Sequence, residues 1–207
     1  NLLVGIPEIG SDGKYYNSVF SFGKSPEQVY RKKHLVPFGD YFPLHSLFFW
    51  FIENVDIPMS SFSPGDRQQA TIKIGQQEIG INICYEDVFG RVIINQLPKA
   101  TILANFTNDA WWGKSLASRQ HLQISQMRAI ETARVMLRAT NTGVTAIIDW
   151  QGKIIKAAPE FETQIIEERV AGREGETPFS ILGNKTILVI SIGIIGFGFY
   201  ARTKKTK

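Results

Sequence analysis

A single cysteine at the end of an apolar run is the first candidate for chemistry. Cys84 is the only cysteine among 207 residues. It follows the apolar run 79–83 and precedes the polar residues Tyr85, Glu86 and Asp87, so we predict a buried strand that stops on a thiol. Because chemistry gathers at the carboxyl ends of strands in α/β folds, Cys84 is a candidate nucleophile. The alternative is a small buried hydrophobe that only packs.

A reactive thiol needs a nearby base or cation, because an unperturbed cysteine has a pKa of about 8.5. The basic segment 30–36 offers the cation. If this segment is extended, Lys32 shares one face with His34 and Val36, and Lys33 lies on the other face. One lysine can therefore point inward beside the thiol. A solvated basic strand end is the plainer interpretation of the same residues.

Five motifs, in order along nearly the whole chain, resemble those of the carbon–nitrogen hydrolase (nitrilase) superfamily. The segment 30–35 resembles its lysine motif, and the segment 83–87 resembles its cysteine motif. Three longer strings, 34–40, 105–113 and 138–146, narrow the resemblance to the apolipoprotein N-acyltransferase branch. Members of that branch are bacterial inner-membrane enzymes that add the third acyl chain to lipoproteins.

The resemblance implies a Glu-Lys-Cys catalytic triad. By motif, Cys84 matches the nucleophile and Lys32 matches the lysine. Tyr85 and Glu86 match the residues that follow the nucleophile and support the active site. Asp40 stands where the family usually has a glutamate after its Pro-Phe-Gly turn.

The third triad member is a general-base glutamate upstream of the lysine, and we predict that this chain lacks it. Glu8 follows a proline, as that motif requires, but it lies too close to Lys32, and the strands around it resemble later strands of the fold. The first residue, Asn1, is not methionine, and the family's N-terminal membrane helices are absent. We therefore expect the C-terminal part of a longer protein, inert on its own.

Composition and charge exclude several classes of protein. The chain is 43% hydrophobic and 20% charged, which is sufficient for one domain with a sizeable core. Apart from four basic residues among the last six, the chain holds 19 basic and 19 acidic residues. A nucleic-acid partner is therefore not expected. The three histidines are dispersed and no Gly-rich phosphate loop is present, so we predict neither a metal nor an organic cofactor.

The pattern of apolar residues predicts alternating strands and helices, which is typical of a layered α/β domain. The resemblance implies an α-β-β-α sandwich, truncated at its N-terminus, over residues 1–180. A hairpin turn is predicted over residues 149–152. The predicted strands lie near 2–6, 15–23, 70–74, 78–84, 101–106, 143–149 and 153–157, and the predicted helices near 88–97 and 117–137.

The remaining segment, 181–207, predicts a transmembrane helix followed by a basic cytoplasmic tail. Its uncharged run 186–201 has 16 residues, slightly fewer than the roughly 20 that span a bilayer. Three glycines and many β-branched residues suit a soluble core helix poorly, although a buried core helix is the alternative. The basic tail is expected to stay cytoplasmic, which places the catalytic domain in the periplasm.

A second apolar segment, 41–52, follows directly after Asp40. We hypothesise that it is an arm or lid that touches lipid. The alternative is a helix packed on the core.

The resemblance implies an N-acyltransferase that acts on a membrane substrate. Cys84 would take an acyl chain from a phospholipid as a thioester, and the acceptor would be the N-terminal diacylglyceryl-cysteine of an apolipoprotein. Two alternatives remain open. One is a soluble-type amidase or nitrilase, and the other is a membrane-anchored binding domain that is catalytically incomplete.

Overall fold

The structure, a computed structural model, describes residues 1–24, 26–41, 43 and 62–205. The described strands are β1 (Leu2–Ile9), β2 (Tyr15–Phe22), β3 (Gln28–Arg31), β4 (Ile72–Ile74), β5 (Gln77–Ile83), β6 (Ile102–Thr107), β7 (Val135–Thr140), β8 (Ala146–Ile148) and β9 (Ile154–Ala157). The described α-helices are α1 (Gly90–Ile94), α2 (Ala117–Thr132), α3 (Pro178–Leu182) and α4 (Lys185–Lys205). Two described segments are 3₁₀ helices. We call them the cysteine turn (Cys84–Val88) and the tryptophan turn (Asp109–Trp112).

The strands form two sheets. A small antiparallel sheet has the order β1-β2-β3, and a larger mixed sheet has the order β4-β5-β6-β7-β8-β9. At the centre of the larger sheet, β5, β6 and β7 run parallel. The parallel strands therefore end at one edge of the sheet, where the cysteine turn follows β5 and the tryptophan turn follows β6.

Two apolar clusters hold three layers together. Alternate residues of β5, such as Ile81, face the small sheet and pack with Val19 and Tyr30, because successive strand residues point to opposite faces. The other face of the large sheet packs on the helices, where Leu103 and Met136 join a second cluster. The described residues thus form sheet, sheet and helix layers, which agrees with three layers of the predicted sandwich. A helix layer over the outer face of the small sheet is not among them.

The seven predicted strands are confirmed, with ends that differ by a few residues. The hairpin is confirmed too, because β8 and β9 pair antiparallel across residues 149–152. The predicted helix near 88–97 is shorter, with only Gly90–Ile94 in α1. β3 and β7 were missing from the predicted strands. The alternation predicted for the lysine segment does continue from β3.

The predicted helix near 117–137 is wrong at its end. Helix α2 stops at Thr132, because Ala133 adopts a left-handed conformation with φ of 51° that closes the helix. The chain then forms β7, the third parallel strand of the large sheet. No glycine or proline marks this stop, and the apolar residues 135–137 continue a pattern that a buried helix would also show.

The described side chains of the C-terminal helix α4 are exposed. Its residues Lys185–Arg202 are long and apolar enough to cross a membrane, and none of this stretch is buried. Large apolar side chains such as Ile192 and Ile194 are more than half exposed. The hypothesised arm over 41–52 lies, apart from Tyr41 and Pro43, outside the described residues.

The core between the sheets gives a direct stability test. Ile81 is fully buried there, so Ile81→Ala leaves a cavity and should lower the free energy of unfolding by about 2–5 kcal/mol. The control is Ile165→Ala, because Ile165 is 93% exposed and should change stability by about 0.5 kcal/mol or less. Urea unfolding of the detergent-solubilised chain, followed by tryptophan fluorescence, measures both. Equal effects of the two substitutions would contradict the assigned core.

Candidate active site

Cys84 lies at the point where the central strand β5 becomes a turn. Its φ of 52° is in the left-handed region, which costs a non-glycine residue about 1–2 kcal/mol. Such a conformation persists only where neighbouring contacts hold it, and it is common at functional sites. The thiol is free and partly buried at the end of the core between the sheets. The strand therefore ends where the sequence predicted, and Cys84 follows it with a strained backbone conformation.

The buried carboxylate of Glu86 joins the cysteine turn to the lysine segment. Oε2 accepts hydrogen bonds from the backbone N–H of Ile83 (2.8 Å) and from the Tyr30 hydroxyl (3.0 Å). Oε1 accepts from the backbone N–H groups of Lys33 (2.9 Å) and His34 (3.0 Å). Glu86 thereby fixes the position of the lysine segment relative to Cys84, two residues before it.

Burial and the neighbouring donors shift the pKa of Glu86 in opposite directions. Burial raises the pKa of Glu86, because a charged carboxylate loses its hydration. The three backbone N–H groups and the nearby ammonium of Lys32 act in the other direction and favour the charged form. Lys32 therefore lies close enough to this carboxylate to act on its charge.

Lys32 is the lysine that points into the protein. It is 2% exposed, and its Nζ lies 2.6 Å from Oδ2 of Asp40. The same oxygen accepts a hydrogen bond from the backbone N–H of Val36 (2.7 Å). Asp40 therefore reaches the lysine although its side chain is one methylene shorter than glutamate. Lys33 is less buried, and its backbone rather than its ammonium contacts Glu86.

Glu8 belongs to a different group of side chains. Its carboxylate accepts hydrogen bonds from the Arg31 guanidinium (2.9 Å from Nε) and from the Ser18 hydroxyl (2.6 Å). The hydrogen bond from Arg31 is the main reason that the pKa of Glu8 is lowered. Arg31 and Lys32 are neighbours in an extended segment and point to opposite faces. Glu8 is therefore held by Arg31, on the side away from Lys32.

A row of polar side chains crosses the carboxyl ends of the parallel strands on the helix side. Asn82, Asn105 and Arg138 are direct neighbours in register on β5, β6 and β7. Nδ2 of Asn105 donates to Oδ1 of Asn82 (2.6 Å) and to the carbonyl oxygen of Cys84 (3.1 Å). Nη1 of Arg138 donates to Oδ1 of Asn105 (3.0 Å). The row thus supports the cysteine turn from the sheet.

Two buried carboxylates and a histidine extend this row below the cysteine turn. His121 lies between Asp87 and Asp109, and Arg138 contacts both carboxylates. Among the described residues, no group of three or more His, Cys, Asp or Glu side chains could hold a metal ion. Sequence reasoning missed both the polar row and these charged residues as parts of the site. The available signal for the row was a polar residue inside each of three apolar strands, at positions 82, 105 and 138.

Tyr85 faces outward at the rim of the site. Its side chain is 42% exposed, and its ring meets the edge of Phe89 at a centroid distance of 5.4 Å. Phe89 also packs on the His34 ring at 3.8 Å. These rings bring the cysteine turn and the lysine segment together at the surface, as Glu86 does in the interior.

Residues 1–178 match the family described as carbon-nitrogen hydrolase. The chain belongs to the carbon–nitrogen hydrolase family. The structure brings Cys84, Lys32, Asp40 and Glu86 into one region, with Tyr85 at its rim.

The chain is also similar to longer curated proteins. It is 52% identical over 196 residues to the apolipoprotein N-acyltransferase of Nitrosomonas europaea, which covers 94% of this chain and 39% of that relative. It is 39% identical over 205 residues to the apolipoprotein N-acyltransferase of Methylococcus capsulatus, covering 99% of this chain and 40% of that relative. The chain therefore spans about two fifths of the length of these relatives.

Solved structures support the fold. A carbon-nitrogen hydrolase from Helicobacter pylori G27 aligns with a TM-score of 0.59 at 19% identity, over 78% of this chain and 59% of that one. A glutamine-dependent NAD+ synthetase from Acinetobacter baumannii aligns with a TM-score of 0.57 at 17% identity, over 78% of this chain and 30% of that one. At these identities the likeness concerns the fold alone.

The buried carboxylate of the site gives a second stability test. Glu86→Gln replaces one acceptor oxygen by an NH₂ group that faces donors, and should lower the free energy of unfolding by about 3 kcal/mol or more. Glu162→Gln is the control, because Glu162 is exposed. Urea unfolding at neutral pH measures both. A Glu86→Gln protein as stable as the control would contradict the role of Glu86 in joining the two segments.

Proposed function

We propose that the chain is the catalytic portion of an N-acyltransferase that moves an acyl chain from a phospholipid to the N-terminus of an apolipoprotein. The observation that carries this proposal is the buried Glu86 carboxylate, which holds the lysine segment against the turn of Cys84. The names of the longer relatives support the substrate classes. Cys84 and Lys32 are the proposed catalytic residues, and Asp40, Tyr85 and Glu86 support them.

In the first half-reaction the Cys84 thiolate attacks the ester carbonyl of the phospholipid. Lys32 and the backbone N–H of Tyr85 stabilise the oxyanion of the tetrahedral intermediate. The intermediate collapses by breaking the ester C–O bond, which leaves an acyl thioester on Cys84. The proton taken from the thiol passes to the departing oxygen, and a lysophospholipid leaves.

In the second half-reaction the α-amino group of the lipoprotein's diacylglyceryl-cysteine attacks the thioester carbonyl. The same oxyanion donors act again. A base removes the amine proton, the C–S bond breaks, and Cys84 is regenerated as an amide forms. The residues of this chain thus supply the nucleophile and the electrophilic stabilisation for both steps.

The base is proposed to come from the portion of the longer relatives that this chain does not cover. Both nearby acids already have other roles, since Asp40 pairs with Lys32 and Glu86 accepts four hydrogen bonds. Glu8 pairs with Arg31. We propose that the same uncovered portion supplies the helix layer that completes an α-β-β-α sandwich.

Helix α4 is proposed to anchor the catalytic domain in the inner membrane. Its 21 residues are long enough for a bilayer, and none of its stretch Lys185–Arg202 is buried. The basic residues after position 201 would stay cytoplasmic, so the domain of residues 1–180 would lie in the periplasm. A phospholipid donor in the bilayer then lies near the domain that carries Cys84.

Two other functions are compatible with the fold. A soluble-type amidase or nitrilase would use the same cysteine and lysine on a small substrate, but it has no use for the unburied apolar helix α4. A membrane-anchored binding domain without turnover would keep α4 and lack the base. The experiments that follow separate both from the proposed enzyme.

The lysine assignment predicts different effects for two adjacent residues. The test protein joins this chain in frame to the uncovered N-terminal portion of the Nitrosomonas europaea relative. Lys32→Ala should lower the rate of N-acylation by about 10²-fold or more, because an oxyanion donor is lost. Lys33→Ala should retain most of the activity. The assay follows acylation of a diacylglyceryl-cysteine peptide in phospholipid vesicles by mass spectrometry.

The alternatives give other results in the same assay. A fusion that cleaves small amides and leaves the lipopeptide unchanged would favour the amidase. A folded fusion that binds lipopeptide without any product would favour the binding domain. Loss of activity in Lys33→Ala but not in Lys32→Ala would place the catalytic lysine one residue later.

The membrane assignment predicts a loss of bilayer insertion when charges enter the middle of α4. Ile192→Lys with Ile195→Lys adds two charges, each costing about 2.5–3.5 kcal/mol at a bilayer centre. The doubly substituted chain should become extractable from membranes by alkaline carbonate, whereas wild type should resist. Ile165→Lys is the matched control, since Ile165 is exposed on the domain. A doubly substituted chain that resists extraction would contradict a transmembrane α4.

A further inference from the structure

A cluster of buried charges lies under the cysteine turn, and the mechanism above uses none of its members. The cluster contains two carboxylates, a guanidinium and an imidazole, and each residue is at most 8% exposed. Removing ionisable groups from water costs free energy unless opposite charges and hydrogen bonds compensate. The members come from the cysteine turn, the tryptophan turn, α2 and β7, and they are Asp87, Asp109, His121 and Arg138.

The imidazole of His121 contacts the cysteine turn directly. Its Nε2 lies 2.9 Å from Oδ1 of Asp87 and 3.2 Å from the carbonyl oxygen of Cys84. Its Nδ1 lies 3.3 Å from Oδ1 of Asp109. Both ring nitrogens therefore face oxygen acceptors, and only the protonated ring can donate at both ends.

The environment of His121 favours this protonated form. Burial of the ring opposes the charge, but hydrogen bonds to Asp109 and Asp87 outweigh burial and raise the pKa of His121 to about 9. The guanidinium of Arg138 acts against the charge. At neutral pH the ring is thus a buried cation between two carboxylates.

The protonated ring completes a charge balance under Cys84. Nη2 of Arg138 donates to Oδ2 of Asp109 (2.9 Å), and Nη1 lies 3.8 Å from Oδ2 of Asp87. The Ser125 hydroxyl, which is neutral, donates to the same oxygen of Asp87 (2.6 Å). Two cations then face two anions. Without the charge on His121, one negative charge would remain unbalanced beneath the cysteine turn.

We propose that His121 is a positioning residue for the nucleophile, a buried cation that holds the Cys84 carbonyl and neutralises the carboxylates below the turn. A negative charge near a thiolate raises the free energy of the thiolate, so the balanced cluster keeps Cys84 reactive. The hydrogen bond to the carbonyl oxygen also helps to hold Cys84 at its positive φ. This inference deepens the proposed function and depends on Cys84 being the reacting group.

The test measures alkylation of Cys84 by iodoacetamide in the whole detergent-solubilised chain. Cys84 is the only cysteine, so the incorporated label reports on one thiol. At about pH 7.5 the ring of wild-type His121 is protonated. His121→Gln removes this charge and should slow alkylation by about tenfold. Adding Asp109→Asn to His121→Gln removes one anion and should restore the rate to within about threefold of wild type.

The rescue separates a charge effect from a purely structural one. If His121→Gln alkylates at the wild-type rate, or if the double variant is no faster than His121→Gln, the proposal is wrong. Near-ultraviolet circular dichroism shows whether each variant is folded. If His121→Gln does not fold, Asp109→Asn alone decides. With one anion fewer, no unbalanced negative charge remains under the turn whether or not His121 keeps its proton, so alkylation should be at least as fast as in wild type, and a slower rate would overturn the proposal.

Alkylation requires neither the base nor a phospholipid. A chain that fails to transfer acyl groups can therefore still confirm or refute the role of His121. Conversely, normal acyl transfer with an uncharged residue at position 121 would contradict the inference and leave the proposed function intact.

Discussion

The position of the proposed active site depends on one buried carboxylate. Glu86 accepts hydrogen bonds from the end of β5, from the lysine segment and from the Tyr30 hydroxyl. The two segments that carry Lys32 and Cys84 are more than 50 residues apart in sequence, and Glu86 brings their backbones together. A buried carboxylate with four donors has no alternative partners in a well-packed interior, so the arrangement is specific.

A second network supports the proposed nucleophile, Cys84, from the opposite side. The amide of Asn105 and the imidazole of His121 both donate to the Cys84 carbonyl oxygen. Glu86 acts from the side of the small sheet, and these residues act from the helix side of the large sheet. Together they explain how a cysteine keeps a left-handed backbone at the end of a strand. The geometry of the proposed active site thus follows from polar residues on both faces of the parallel strands.

Local patterns predicted seven of the nine described strands, the hairpin and the end of β5, because these features depend on alternation and on turn residues. The end of α2 was not predictable in this way, since Ala133 closes the helix through a conformation that its side chain does not signal. The charge cluster was missed for a related reason. Asp87, Asp109, His121 and Arg138 come from four separate elements and meet only when the parallel strands align in register. The resemblance supplied the proposed site residues, and the structure added the groups that hold them.

The central claim is that Cys84 carries the acyl group. The most direct measurement is peptide-mapping mass spectrometry of the fusion protein after incubation with phospholipid and without an acceptor. We predict an acyl adduct on the peptide that contains Cys84, sensitive to hydroxylamine as a thioester is, and absent in Cys84→Ala. An adduct on another residue, or one that persists in Cys84→Ala, would contradict the account.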